Sequence, residues 1–92
     1  MIDWDQLITP GHRVAERMIH ARGLRDVSIA ASVWLLERHR GQLELGGETS
    51  ITPAQYTELL TYHQTLRDWP AQSGWPDIDI PAAPYWLARI TT

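Results

Sequence analysis

Two Trp-Pro pairs near the C-terminus, Trp69-Pro70 and Trp75-Pro76, strongly constrain the fold of this 92-residue chain. The residue before a proline is pushed out of the helical region, and proline cannot donate a hydrogen bond to a helix or a sheet. Tryptophan side chains are nevertheless costly to leave in water. We therefore predict a segment without regular secondary structure that either folds back on its own domain or presents its tryptophans to a partner.

The overall composition is that of one small folded domain, residues 1–92, near the lower size limit for a self-sufficient core. Hydrophobic residues make up 43% and charged residues 21% of the chain, which argues against disorder. The absence of cysteine excludes a disulfide framework and a thiolate metal site. A formal net charge of -3 argues against nucleic acid as a partner, because such domains usually carry a basic face.

The sequence pattern predicts neither an N-terminal signal peptide nor a membrane-spanning run. Residues 1–5 lack the basic and apolar regions of a signal peptide. The longest nearly apolar run, residues 27–36, is too short to span a bilayer. We therefore expect a cytoplasmic protein with no membrane partner, in which residues 1–8 form a helical turn or an arm on the core.

The first half of the chain predicts two helices separated by a glycine. Thr9 and Pro10 form a helix start, apolar residues then recur at helical spacing, and Gly23 marks the stop, giving a helix over residues 10–22. A second helix starts at residue 26 or 28 and ends before Gly41. Because residues 27–36 leave almost no polar face, this second helix is predicted to be central, packed on several sides.

The third predicted helix has the most complete start signal. Thr52 is the cap, Pro53 opens the helix, and Gln55 completes a capping box, while Ile51 and Tyr56 are placed to form a hydrophobic staple. One apolar stripe follows, and the helix should end near residue 68, before the first Trp-Pro pair. The members of that stripe are Tyr56, Leu59, Leu60, His63 and Leu66.

The sequence thus predicts a mainly α protein: a three-helix platform over residues 1–67, followed by an extended Pro/Trp-rich tail over residues 68–92. Ile78 and Ile80 alternate with acidic residues, so one side of the tail is expected to lie on the helices. A short β pairing between residues 42–45 and 85–90 is the alternative for these two runs.

The C-terminal residues resemble the signature of the phage tail assembly chaperones. In that family a helix ends in Tyr-Arg-x-x-Leu-Arg-Asp and continues through a Gln, a Gly-aromatic-Pro step and a last Trp-Pro with another proline behind it. The matching residues here lie within 52–84 and are Tyr62, Leu66-Arg67-Asp68, Gln72, Gly74, Trp75-Pro76, Pro81 and Pro84. His63 replaces the first Arg, and Ile80 stands where the family tends to have Trp. The N-terminal half lacks the family's pattern and predicts a different helical module.

The resemblance implies a non-enzymatic helper in bacteriophage or prophage tail building, working in the bacterial host cytoplasm without a cofactor. Such proteins bind an unassembled tail component, such as a tail fibre or tape-measure protein, by protein–protein contacts. Proline restricts the conformations of the free segment, and tryptophans are common interface anchors. Both properties are compatible with a segment that binds a partner protein. The residues expected to contact the partner are Tyr62, Arg67, Trp69, Gln72, Trp75, Pro76 and Ile80.

Arg67, Trp69 and Trp75, together with Asp68, also have a purely structural interpretation. Asp68 is more simply explained as an acceptor for the backbone amides of residues 69–72, with Arg67 near the negative end of the helix dipole. Trp69 and Trp75 could equally fill the core against the third helix. Only the structure can separate anchors from core residues.

Three other classes of function were weighed against the chaperone. The histidines lack the spacing of a metal site, and no Ser/His/acid or phosphate-loop motif points to an enzyme. A helix, Gly23 and a second helix resemble the layout of a helix-turn-helix regulator, although residues 29–36 offer few polar groups to a DNA groove. A structural tail component that remains in the particle is the third alternative.

Overall fold

The computed structural model describes residues 10–91, with side chains described for residues 13–90. It contains helix α1 (Pro10–Glu44), helix α2 (Pro53–Asp68), a 3₁₀ turn (Trp69–Ala71) and the short helix α3 (Leu87–Thr91). No strand occurs among these residues, so the prediction of a mainly α protein is confirmed and the alternative β pairing is wrong. The predicted N-terminal arm and the Thr9 cap lie outside the described residues.

The two helices predicted for the first half are a single 35-residue helix, so the predicted break at Gly23 is wrong. Glycine inside a helix costs only about 1 kcal/mol relative to alanine. Packing on both sides of the glycine offsets this cost: Ala21 is buried beside the Trp-Pro region and Leu35 is buried against α2. Tertiary contacts therefore override a local stop signal.

Helix α1 ends at Glu44 with Gly46 as its stop residue, whereas the sequence predicted Gly41 as the stop. Gly46 adopts a φ of 72°, in the left-handed region that favours glycine. Its N–H donates to Leu43 O at 3.0 Å, and the Gly47 N–H donates to Gln42 O at 3.2 Å. These two bonds form a Schellman motif, which satisfies carbonyls that the helix end would otherwise leave without donors.

The start of α2 matches its sequence signals. The Gln55 N–H donates to Thr52 Oγ1 at 3.1 Å, and the Thr52 N–H donates to Gln55 Oε1 at 2.9 Å, which completes the predicted capping box. The helix ends at Asp68 as predicted. Trp69, however, keeps helical dihedrals (φ -53°, ψ -46°) despite the following proline and leads into the 3₁₀ turn, so the expected switch to extended backbone there is wrong.

The core lies between the C-terminal half of α1 and α2, with α3 closing one end. On α2 the stripe differs from the prediction at one position: Tyr62 is buried, whereas Leu60 is 37% exposed. The predicted staple is consistent with the packing, since Ile51 is buried in the core and Tyr56 packs against it. The buried core residues are Leu35, Leu36, Ile51, Leu59, Tyr62, Leu66, Trp86 and Leu87.

The prediction that residues 27–36 form a central helix, packed on several sides, is wrong. Ser32, Leu35 and Leu36 are buried, but Val27 is 69% and Trp34 is 39% exposed. The helix packs on one side only, because the chain provides a single long partner helix for it. One apolar side of α1 is consequently left facing solvent.

Candidate protein-binding cleft

The Trp-Pro segment, residues 69–80, is folded back by a series of turns. The Gln72 N–H donates to Trp69 O at 3.1 Å, and the Trp75 N–H donates to Gln72 O at 3.2 Å. Gly74 has a φ of 90°, and a Cβ at this position would lie 3.0 Å from Ile78 Cγ2. Glycine is favoured here by its left-handed backbone conformation, and a Cβ would in addition press on the Ile78 side chain.

The two tryptophans of this segment pack together instead of projecting into solvent. Trp69 is only 3% exposed and Trp75 is half-buried. Their rings meet edge to face, with centroids 6.4 Å apart and planes at 85°. The Arg22 guanidinium lies 5.0 Å from the centroid of a Trp75 ring, in cation–π geometry. Core filling is thus the structural role of both side chains, and neither is a free anchor.

An ion pair ties the segment to the N-terminal half of α1. Arg17 Nε donates to Asp77 Oδ1 at 3.0 Å, joining residues 60 positions apart. Both side chains are well exposed, so the pair contributes at most about 1 kcal/mol. The pair matters more for where the segment lies than for stability, because it joins the segment to the side of α1.

A cleft of about 360 Å³ lies between α1 and the Trp-Pro segment. Its walls are mostly apolar and its rim is charged, which is the usual composition of a binding cleft. Apolar walls come from Ala21, Leu24, Trp69, Pro76, Ile78 and Ile80. Polar groups come from Glu16, Arg17, His20 and Asp79.

Two indole N–H groups at this cleft region are buried without hydrogen bonds. Trp69 Nε1 and Trp75 Nε1 have no acceptor among the described residues. A buried N–H left unpaired costs about 1–3 kcal/mol, so these two indoles lower the stability of the fold. Of the two side chains, that of Trp69 also lines the cleft.

The structure brings together some of the residues predicted to contact a partner and separates others. Trp69, Pro76 and Ile80 line the cleft, while Trp75 supports it from behind Trp69. The alternation of isoleucine and aspartate over residues 77–80 matches the burial of these side chains. Ile78 and Ile80 are half-buried, whereas Asp77 and Asp79 are exposed.

Tyr62, Arg67 and Gln72 lie outside this cleft. Tyr62 is buried and lines a second cleft of about 430 Å³, formed by α2 and residues 82–85. Arg67 and Gln72 are exposed and line neither cleft. The α1 residues of the main cleft, such as Arg17, His20 and Leu24, were missed by sequence reasoning, because no local pattern signals a contact with residues 60 positions away.

At the end of α2, Asp68 does not have the structural role that the sequence suggested. Asp68 makes no side-chain cap with the following backbone; Asp68 Oδ1 instead accepts a hydrogen bond from Gln64 Nε2 at 3.1 Å. The prediction that Asp68 accepts hydrogen bonds from the backbone amides of residues 69–72 is therefore wrong. Arg67 does lie in the last turn, where its charge is favourable at the helix dipole.

Ser32 and His63 come within hydrogen-bonding distance of each other, but the pair is buried. Both side chains are at most 1% exposed, and neither lines the two clefts. A nucleophile must reach its substrate, so this arrangement is structural. Among residues 10–91, no group of three histidine or acidic residues is placed to hold a metal ion.

Comparison with protein-family models, with curated proteins and with solved structures gives no significant match for this chain. No helix in the described part of the chain has the length and apolar character needed to cross a bilayer.

Proposed function

We propose that the protein is a bacteriophage or prophage tail assembly chaperone that binds an apolar segment of an unassembled tail component in the cleft between α1 and the Trp-Pro segment. The observation that carries this proposal is the cleft itself: an open, mostly apolar groove with one wall from α1 and the other from Trp69, Pro76, Ile78 and Ile80, which lie in the stretch 52–84 that resembles the family. Pro76 is the one lining residue that is also a matching signature position. The client would be a tail fibre or tape-measure protein, held by protein–protein contacts in the host cytoplasm.

The chemistry of the cleft suits an extended polypeptide. Leu24, Ile78 and Ile80 offer apolar surface to a few client side chains. Arg17 and Asp79 supply charges of both signs at the rim, where they favour orientation of the client more than affinity.

A helix-turn-helix regulator fits the structure poorly. That alternative requires a turn between two helices at Gly23, and α1 runs through this residue without a break. The chain also has a net charge of -3, whereas DNA-binding domains usually present a basic face.

The proposal is tested by hydrogen exchange on residues 68–84, with and without the tail fibre or tape-measure protein encoded beside this chain. We expect amide exchange in this range to slow when the client is added. Unchanged exchange with every such tail protein, together with no co-purification, would overturn the proposal.

A pair of variants locates the contact. Leu24→Glu places a charge in the cleft at a side chain that is already 44% exposed, so the fold is retained while client binding falls about tenfold or more. Leu43→Glu, at a 57% exposed position of the same helix that lines neither cleft, is the matched control and should bind normally. Equal binding by both variants would exclude the cleft as the site.

Analysis of purified particles separates a chaperone from a retained structural component. A chaperone leaves before the particle is complete, so mass spectrometry of finished tails should not detect it. Detection at a fixed ratio to the tail proteins would favour the structural component instead.

A further inference from the structure

The exposed side of α1 carries an apolar stripe that the proposed function does not use. Its large members are Ile19, 70% exposed, Val27, 69% exposed, and Trp34, 39% exposed. The same helix face also carries the small residues Gly23, Ala30 and Ala31, and the polar His20 lies among them one heptad before Val27. We define Ile19, Gly23, Val27, Ala30, Ala31 and Trp34 as the apolar stripe.

The spacing of the apolar stripe is that of a helix-pairing seam. Its positions follow one another by four, four, three and four residues, from residue 19 through 23, 27 and 30 to 34, as along one side of a coiled coil. The stripe lies opposite the packed side of α1, which carries Ser32, Leu35 and His39. Trp34 Nε1 donates to Ala31 O at 2.9 Å, so the indole lies along the helix with its polar atom already satisfied.

We propose that a second copy of this chain covers the apolar stripe, with the two α1 helices antiparallel about a two-fold axis near Val27. The first argument is charge. Glu16 lies on the same face one turn before the stripe, and Arg38 lies one turn after it. An antiparallel pair brings Glu16 of each copy to Arg38 of the other at both ends, whereas a parallel pair would place like charges together.

The second argument is the size of the side chains that would face each other. About a two-fold axis near Val27, Ile19 of one copy meets Trp34 of the other, so a large side chain covers a large one. Gly23 meets Ala30, and these small residues let the two backbones approach closely. A Cβ at Gly23 would meet nothing within 4 Å in the single chain, so the space that the second helix needs is open.

These features select a second copy over an unrelated partner. The stripe is complementary to itself in charge and in side-chain size under a single two-fold rotation, as an isologous interface requires. None of the six residues of the apolar stripe lines the cleft, so Val27 variants test the dimer apart from client binding. Glu16 and His20 lie on the stripe's side of α1 and also line the cleft.

The first experiment measures the mass of the purified full chain by analytical ultracentrifugation over a range of concentrations. We expect a dimer of twice the 10.5 kDa chain mass at high concentration. Val27→Glu should give a monomer with unchanged helical content, because two like charges would meet near the axis, and Leu43→Glu should remain dimeric. A wild-type chain that stays monomeric up to millimolar concentration, or a dimer unaffected by Val27→Glu, would overturn the proposal.

Charge reversal tests the antiparallel direction. Glu16→Arg and Arg38→Glu should each weaken dimerisation by about five- to tenfold, because each turns two attractions into repulsions. The double variant should recover most of the wild-type affinity. Single reversals without effect, or a double variant no better than either single one, would exclude this pairing.

Cysteine crosslinking gives an independent readout, since the chain has no native cysteine. The Val27→Cys variant should form an intermolecular disulfide on oxidation, because residue 27 lies close to its own copy across the axis. The Ile19→Cys variant should not. Efficient crosslinking of Ile19→Cys would indicate parallel helices and contradict the proposal.

Discussion

Ser32 Oγ and His63 Nε2 lie 2.7 Å apart, and this buried hydrogen bond joins α1 to α2. Because the Ser32 hydroxyl can donate to Ser28 O at 3.3 Å, we infer the tautomer in which His63 Nε2–H donates to Ser32 Oγ. His63 Nδ1 then carries a lone pair that is buried without a partner among the described residues. Protonation at Nδ1 would place an unsatisfied N–H and a positive charge in the interior.

The stability of the protein is therefore expected to depend on the protonation of His63. Burial lowers the pKa of His63 below its ordinary value of 6.5, and the positive charge of Arg67 lowers it further. As the pH falls below about 6.5, the unfolded chain takes up this proton before the folded chain does, so the free energy of unfolding decreases. The contribution from one proton cannot exceed about 1.4 kcal/mol per pH unit.

Urea unfolding between pH 7.5 and 5 measures this effect, with His63→Phe as the control because it removes the titrating group. We expect the free energy of unfolding of the wild-type chain to fall more steeply with decreasing pH than that of the variant. Parallel pH profiles for the two chains would mean that His63 is not held neutral in the fold.

Two glycines near the end of α1 should respond to alanine with opposite signs. Gly41→Ala removes a flexible residue from within the helix where nothing lies within 4 Å, so it should stabilise the fold by about 0.5–1 kcal/mol. Gly46→Ala forces alanine into a positive φ and should destabilise by about 1–2 kcal/mol. Thermal unfolding of both variants measures the difference. The reverse order would place the helix end at Gly41.

The capping box should contribute measurably to the stability of α2. Thr52→Ala removes the acceptor for the Gln55 N–H and should cost about 1 kcal/mol of unfolding free energy. Thr52→Ser keeps an acceptor oxygen and is the matched control, expected within about 0.5 kcal/mol of the wild type. Equal losses in both variants, measured by urea unfolding, would show that packing of the threonine methyl group and not the cap is responsible.

The C-terminal helix α3 should be held by one hydrogen bond as well as by apolar packing. Trp86 Nε1 donates to Glu58 Oε2 at 2.9 Å, and Trp86 is 5% exposed. Glu58→Ala should destabilise by about 1–3 kcal/mol, because it leaves a largely buried indole N–H without its acceptor. Glu58→Gln retains an acceptor and should lose less. Hydrogen exchange of residues 85–90 measures the docking, and protection unchanged in Glu58→Ala would contradict this role.

The sequence by itself determined the features that depend on neighbouring residues. The capping box of Thr52 and Gln55 and the end of α2 at Asp68 were predictable, because their groups lie within a few positions of one another. The mainly α class followed from apolar periodicity. The alternation of Ile78 and Ile80 with aspartates likewise gave the buried side of the Trp-Pro segment.

Only the tertiary structure decided which local signals prevailed. Gly23 carries a stop signal, but a cost of about 1 kcal/mol is small against the burial of apolar side chains on both sides of it. The cleft joins two parts of the chain that are far apart in sequence, as the contact of Arg17 with Asp77 across 60 residues illustrates, and no pattern of near neighbours encodes that pairing. Capping and apolar periodicity involve residues that are near one another in sequence, so the sequence alone predicts them. Long-range packing contributes its energy only once the chain has folded.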